Sequence, residues 1–308
     1  MDRNYLGIEI GGTKLQLVMG TGSGGILRRW RYSVARQEGG AGIRRQIEAT
    51  LPGIVAGSTI RGVGVGFGGP VDWRTGQICC SHQIEGWADF GLAAWLRSLA
   101  QAPVQIDNDA NVGALGEALC GAGKGLSPVF YVTLGSGVGG GLVVDGQIYH
   151  GAVPGESEIG HVRLDRAGTT VESRCSGWAV DAKIRTLIDR KPDCLVGRLA
   201  GSVRGGEAKQ LGKALANGDE LAREILAETA EDMAFAFSHV VHLSHPVIIV
   251  IGGGLSLVGE PLRAAVAEAM KRFTMEAFAP GPTIALAALG EDSVPVGALM
   301  LAHQRLAT

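Results

Sequence analysis

Short apolar runs, each closed by glycine or by a polar cluster, recur from one end of this chain to the other. Residues 5–10, 15–19 and 25–33 read as three consecutive strands, with Gly11, Gly12, Thr13 and Lys14 at the first corner. A helix follows over 42–55. Residues 61–67 (RGVGVGF) form a strand with so little side chain that another element must pack close to it. The loop Gly68-Gly69-Pro70-Val71-Asp72 comes next. The amphipathic run 89–100 predicts a helix with Phe90, Leu92, Trp95 and Leu99 on or near its buried side. Residues 104–106 alternate like a short strand. The polar cluster Asp107, Asn108, Asp109 and Asn111 then leads into a small-residue helix over 112–119.

The second half repeats this opening. Residues 129–134 (VFYVTL) read as a strand, 135–141 (GSGVGGG) as a turn and 142–144 as the returning strand. Asp145-Gly146 marks a hairpin into 147–150. Two such units predict two related lobes, each presenting a glycine turn to a shared cleft. Residues 151–171 read as an irregular loop that brings Glu156, Glu158 and His161 close in sequence. Helices are expected over 176–187 and 219–243. In the second, Leu221, Ile225, Met233, Phe237 and Val240 form a core-facing stripe. The wholly apolar run 247–251 (VIIVI) predicts a strand inside a covered sheet. It ends in Gly252, Gly253 and Gly254, followed by a helix over 261–273, a strand over 283–289 and a last helix over 296–306. Residues 191–212, rich in glycine and charge, are the segment expected to be most flexible.

Composition narrows the function. The chain has 308 residues, 46% hydrophobic and 19% charged, as in an ordinary soluble globular protein. The net charge of −2, without long like-charge blocks, argues against a nucleic-acid partner held by bulk electrostatics. No signal peptide is read before the first strand, and no apolar run is long enough for a membrane. Cys79, Cys80, Cys120, Cys175 and Cys194 contain no C-x-x-C, so reduced thiols in a cytoplasmic protein are expected. Glycine is the outlier, with 49 residues and no G-X-Y period.

Those glycines carry the chemistry. Turns at 11–12, 135–141 and 252–254 each follow a strand, with Thr13, Lys14 and Ser136 beside them. One such turn is only a tight hairpin. Three favour a cradle whose backbone N–H groups face phosphate oxygens. None is a Walker A loop, and Gly135, Gly137 and Gly140 precede a strand where a dinucleotide fingerprint needs a helix. Phosphoryl transfer requires positioning, charge neutralisation and a base. Asp109, after a strand and before a helix, is placed for that base. Taken alone it reads as an Asx turn with Asp109 as the helix cap. Asn108, Glu158, His161 and Glu172 offer donors and acceptors for a polyhydroxylated substrate.

The ordered segments IEIGGTK, GFGGPVD, IDNDAN, TLGSGVGGG, GESEIGH, TVES and VIGGG resemble the ROK family of sugar kinases and sugar-responsive repressors, from about Leu6 to Ala302. The resemblance implies an α/β, two-lobed actin-like ATPase (ribonuclease H-like) fold with a central cleft. The lobes it suggests are a small one over 1–112, completed by a C-terminal helix at 290–308, and a larger one over 113–289. It implies ATP and magnesium as cofactors and a homodimer. It also implies roles. Asp109 matches the catalytic base, and Asn108, Glu158, His161 and Glu172 match sugar ligands. Gly68 and Gly69 match a loop closing the sugar pocket. Gly11, Gly12, Thr13 and Lys14 match the first phosphate turn, Gly135, Ser136 and Gly137 the second, and Gly252, Gly253 and Gly254 the adenosine side.

Departures from the family pattern matter as much. Glu9 stands where the family often has the Asp that helps hold magnesium through water. Residues 164–171 (LDRAGTTV) lack the cysteines of the zinc loop many members carry, so no structural zinc is expected. Gln83 stands where relatives often have Asn. Asp107 stands where they often have Glu, and it is assigned no catalytic role. The reading is an ATP-dependent hexose kinase, glucokinase-like, acting on the 6-hydroxyl. A sugar-sensing regulator is the alternative; the short 1–5 segment before the first strand leaves no room for the family's helix-turn-helix. A polyphosphate-dependent hexose kinase is the other alternative. The sugar itself is left open.

Overall fold

The computed structural model describes residues 4–81, 84–155, 157–191, 193–201 and 204–304; Gln83 and Glu156 lie outside them. The chain opens with the expected meander of β1 (Asn4–Ile10), β2 (Lys14–Thr21) and β3 (Ile26–Ser33), antiparallel neighbours. There follow α1 (Gly39–Ala56), β4 (Ile60–Phe67), a small ribbon of β5 (Val71–Asp72) and β6 (Gln77–Ile78), α2 (Leu92–Ala100) and β7 (Val104–Asn108). β4 pairs in parallel with β1, and β7 with β4, so the sheet runs β3-β2-β1-β4-β7.

The second half holds α3 (Asp109–Cys120), β8 (Val129–Leu134), β9 (Val138–Val144), β10 (Gln147–Ile148), α4 (Val171–Cys175), α5 (Gly177–Arg190), α6 (Leu195–Ala200), α7 (Leu211–Ala216) and α8 (Glu220–Ser244). It closes with β11 (Ile248–Gly252), α9 (Glu260–Met270), β12 (Thr283–Leu286) and α10 (Ser293–Gln304). Its sheet runs β10-β9-β8-β11-β12, with β11 parallel to both β8 and β12. The two sheets therefore share one strand order, as the repeated strand–glycine turn–strand pattern implies.

By packing, the chain forms two compact units: 1–125 with 141–156 and 288–308, and 126–140 with 157–287. α3 lies whole in the first unit, whereas the boundary read between 112 and 113 would divide it. The reason is backbone contact. A Cβ on Gly297 of α10 would stand 1.7 Å from Val112 O, and one on Gly116 of α3 2.3 Å from Ser293 O. α10 also lies directly on β4, where a Cβ on Gly64 would be 1.9 Å from Ala298 O. This is the close neighbour that the glycine-rich strand requires. Val63, Val65 and Phe67 of the same strand take the opposite side, in the core with Ile43, Ile47 and Leu51 of α1 and Leu92 and Leu96 of α2.

Glu117 joins α3 to the segment that leads into α10. Its carboxylate, wholly buried, accepts from Ala122 N (2.9 Å), Ala288 N (3.1 Å), Leu289 N (2.9 Å) and Ser293 Oγ (2.7 Å).

Several expected boundaries move. β7 runs on through Asp107 and Asn108, and β9 begins at Val138, so the glycine turn after β8 is confined to 135–137. α4 is unread in the sequence because it is short. A reciprocal cap between Thr170 and Ser173 starts it. The stretch 191–212 holds α6, a 3₁₀ turn over Glu207–Gln210 and the start of α7. Buried Asp181 of α5 pins it by accepting from Gly206 N (2.8 Å) and Ala208 N (2.7 Å), and Arg185 pairs with Glu207 at 3.0 Å. These partners are too far apart in sequence for local patterning to reveal them.

Candidate active site

In the first unit β1, β4 and β7 stop level, Ile10 pairing with Phe67 and Phe67 with Asn108. The C-terminal ends of parallel strands are where open α/β sheets bind ligands. Each strand delivers a candidate group there. After β1, Gly11 N–H donates to Lys14 O (2.9 Å) and closes the first glycine turn, with Gly12 and the exposed Thr13 at its tip. After β4, Gly68 N–H donates to Ile10 O (2.8 Å). A Cβ on Gly68 would lie 3.4 Å from Asp109 Oδ2 and 3.6 Å from Gly11 Cα, so this backbone stands against both the carboxylate and the first glycine turn.

After β7, Asn108 caps α3. Its Oδ1 accepts from Ala110 N (2.9 Å) and its Nδ2 donates to Gly69 O (3.1 Å). The cap is therefore Asn108, not Asp109 as the cluster alone suggests. Asp109 is the first helical residue, half-buried, its carboxylate at the positive end of α3. Gly66 lies against that helix end, where its Cβ would be 3.5 Å from Asp109 Cα, and makes room for α10, since the same Cβ would be 2.6 Å from Val294 Cγ1. Glu9 lies in the same cross-strand row as Gly66. Its Oε1 pairs with Lys14 Nζ (3.2 Å) and its Oε2 accepts from Gln16 Nε2 (2.6 Å).

In the second unit the other two glycine turns are neighbours. Gly252 pairs with Thr133, and Gly253 lies so close to β8 that its Cβ would be 2.5 Å from Leu134 N. Gly253 also has φ +79°, the left-handed region that glycine adopts freely. Gly254 begins a 3₁₀ turn, and Ser256 Oγ donates back to Gly253 O (2.7 Å). The turn Gly135-Ser136-Gly137 is closed by Gly135 N to Gly137 O (2.9 Å) and held by Gly177 N to Gly135 O (2.8 Å).

Glu172 also reaches this turn. Its Oε2 accepts from Val138 N (2.9 Å), and a Cβ on Gly137 would be 2.5 Å from the same oxygen. Glu158 and His161 flank Gly160, whose Cβ would be 2.2 Å from Val138 O. The candidate sugar-ligand segment therefore rests on the backbone that follows the second glycine turn. Glu158 and His161 are both exposed.

A family model described as the ROK family matches residues 5–305. The chain belongs to the ROK family. A glucokinase of Halalkalibacterium halodurans is 32% identical to it over 99% of this chain and 96% of that protein. Among solved structures, a ROK family glucokinase from Streptomyces griseus in complex with glucose and AMPPNP is 28% identical, covering 98% of this chain and 99% of the other, with a TM-score of 0.86. A ROK hexokinase from Thermus thermophilus is 25% identical over 99% of both chains, with a TM-score of 0.81. The fold is the actin-like ATPase fold of these ROK kinases.

Where many ROK members carry a zinc loop, this chain makes a turn closed by its own groups. Asp165 Oδ1 accepts from Gly168 N (2.9 Å) and Thr169 N (3.1 Å), and Arg163 bridges to Thr170. Nearby Cys175 is buried under α8, and burial pushes its thiol up to about 12. No helix of the described residues is long and apolar enough to cross a membrane.

Residues that sequence reasoning passed over also lie here. His150 and Trp73 reach the base of the Asn108–Asp109 segment through Asp107. No local signal marks either one. The density of carboxylates and amides at 107–111 was a signal for Asp107.

Proposed function

We propose that this protein is an ATP-dependent hexose kinase of the glucokinase type, transferring the γ-phosphoryl group to the 6-hydroxyl of glucose or a related hexose. The reading rests on one observation. In a ROK chain, the closed turn after β1, the backbone of Gly68 and the Asp109 carboxylate converge at the level ends of three parallel strands. Asp109 accepts the proton of the hydroxyl as its oxygen bonds to the γ-phosphorus. The bond from that phosphorus to the bridging oxygen breaks, and ADP leaves. Asn108, Glu158, His161 and Glu172 orient the sugar. The 11–14 and 135–137 turns hold phosphates with N–H groups, and Gly252–Gly254 takes the adenosine side.

Among the described residues no three His, Cys, Asp or Glu side chains gather for a metal. Magnesium on a nucleotide asks for less, since it keeps its waters and takes one or two carboxylates besides the phosphates. Glu9, anchored by Lys14 and Gln16, fits that requirement and would hold the ion through water. Bound magnesium would supply charge neutralisation on the phosphate oxygens. Family membership supports a cytoplasmic homodimer.

The test is a coupled ADP-release assay with ATP and magnesium across glucose, mannose, fructose, allose and N-acetylated hexosamines, with polyphosphate as a parallel donor. Turnover with ATP and at least one hexose is expected. No turnover with any sugar would sink the kinase reading.

Glu172 allows a finer prediction, because one oxygen already holds Val138 N–H. Glu172→Ala is expected to weaken both the sugar and the nucleotide, each by about tenfold, the scale of a hydrogen bond to a charged group. Calorimetric titration with glucose and with a non-hydrolysable ATP analogue measures both. A change confined to the sugar would mean that the phosphate turn does not depend on Glu172.

A further inference from the structure

Asp107 precedes the Asn108–Asp109 pair and is almost wholly buried, at 4% exposure. Its Oδ1 accepts from Asn108 N (2.8 Å) and from Asn111 Nδ2 (2.9 Å). It thus ties the last residue of β7 to the first turn of α3, the backbone that carries Asp109. Its Oδ2 is 2.7 Å from His150 Nε2. A carboxylate only accepts, so Nε2 is the donating nitrogen. The His150 ring is itself fixed by stacking on Trp73, with centroids 4.1 Å apart and planes 20° apart. Trp73 sits in the turn between β5 and β6, just beyond the Gly68–Gly69 loop that Asn108 Nδ2 also holds.

We propose that His150 is a positioning residue for phosphoryl transfer: held on Trp73, it fixes the Asp107 carboxylate, which sets the Asn108–Asn111 backbone and so the aim of Asp109. The proposal rests on the kinase reading for its catalytic consequence. The physical argument is one of lever and pivot. Asp109 leaves the end of β7 at a helix start, where small changes in strand-end geometry are passed to the carboxylate. Asp107 is the group that joins strand end and first helical turn. A carboxylate with one oxygen released can rotate, and both of its hydrogen bonds to the helix start then weaken. Misplacing a reacting group by about 1 Å costs on the order of 10²-fold in rate.

The experiment compares His150→Ala with His150→Gln, whose amide N–H can reach Asp107 and donate as Nε2 does. His150→Ala is expected to lower kcat by about 10- to 100-fold while KM for ATP stays within about twofold. His150→Gln is expected to recover most of that loss. Amide hydrogen exchange over 104–112 supplies a readout independent of turnover. Exchange at 108–111 should quicken by about tenfold in His150→Ala and stay near wild type in His150→Gln.

Unchanged kcat and exchange in His150→Ala would overturn the proposal. So would a His150→Gln variant no better than His150→Ala, or a loss that falls wholly in KM. If His150→Ala does not fold, His150→Gln against His150→Met carries the same decision, because both fill the space and only Gln donates. If the wild-type protein turns over no sugar, the kinase reading fails by itself and exchange alone decides the positioning role.

Discussion

Asp109→Asn is expected to bind hexose with near wild-type affinity and to lose at least about 10²-fold in kcat, the usual contribution of a general base. The two effects separate because of where the helix cap lies. Asn108, not Asp109, accepts the Ala110 N–H, so α3 keeps its cap when Asp109 changes. The amide has the shape of the carboxylate and fits the same contact with Gly68. What disappears is the ability to accept a proton, together with a favourable charge at the helix start of about 0.3–1 kcal/mol. Calorimetry for glucose affinity, steady-state kcat and a thermal melt distinguish chemistry from damage. Wild-type turnover in this variant would remove Asp109 from the base role. A collapse in affinity with kcat unchanged would make it a sugar ligand instead.

Glu117→Ala is expected to lower stability by about 3–5 kcal/mol, near the upper end for a single substitution. The wholly buried carboxylate satisfies three backbone N–H groups and the Ser293 hydroxyl, one donor just after α3 and the others at 288–293. Truncation leaves those donors facing a cavity. Glu117→Gln should recover little, because its NH₂ group points a donor at donors. The consequence reaches the site, since α3 begins with Asp109 and α10 packs against α3 and β4. Chemical denaturation of both variants checks the effect. A midpoint equal to wild type would mean that the donors find other acceptors and that Glu117 does not hold α10 in place.

The fold was legible in the sequence to the degree that its signals are local. The two meanders, the wholly apolar β11 and the long α8 follow from period and length alone, and the ordered glycine motifs carried the family. The limits of β7 and β9 were not legible, because polar Asp107 and Asn108 and the glycines of 139–141 look like loop residues until a neighbouring strand pairs with them. Asp107 pairs opposite Gly66, and that long-range partner makes a carboxylate acceptable in a strand. The helices of 191–212 depend likewise on a buried carboxylate, Asp181, whose partners lie elsewhere, whereas α4 is started by a local cap and escapes notice because it is short.

The candidate residues divide in the same way. Residue type and motif order by themselves determined which carboxylates, amides and glycine turns to consider, because phosphate cradles need backbone without side chains and open α/β sheets bind ligands at strand C-terminal ends. They also determined the repeat, since equal patterns fold into equal sheets. Only the tertiary structure decided that Asn108 and not Asp109 is the cap, that Glu172 holds the backbone at the second glycine turn, and that a histidine and a tryptophan brace Asp107. Each of those is a directional hydrogen bond or a ring contact. Its partner is set by how strands register and helices dock, and no local stretch of sequence encodes that distance.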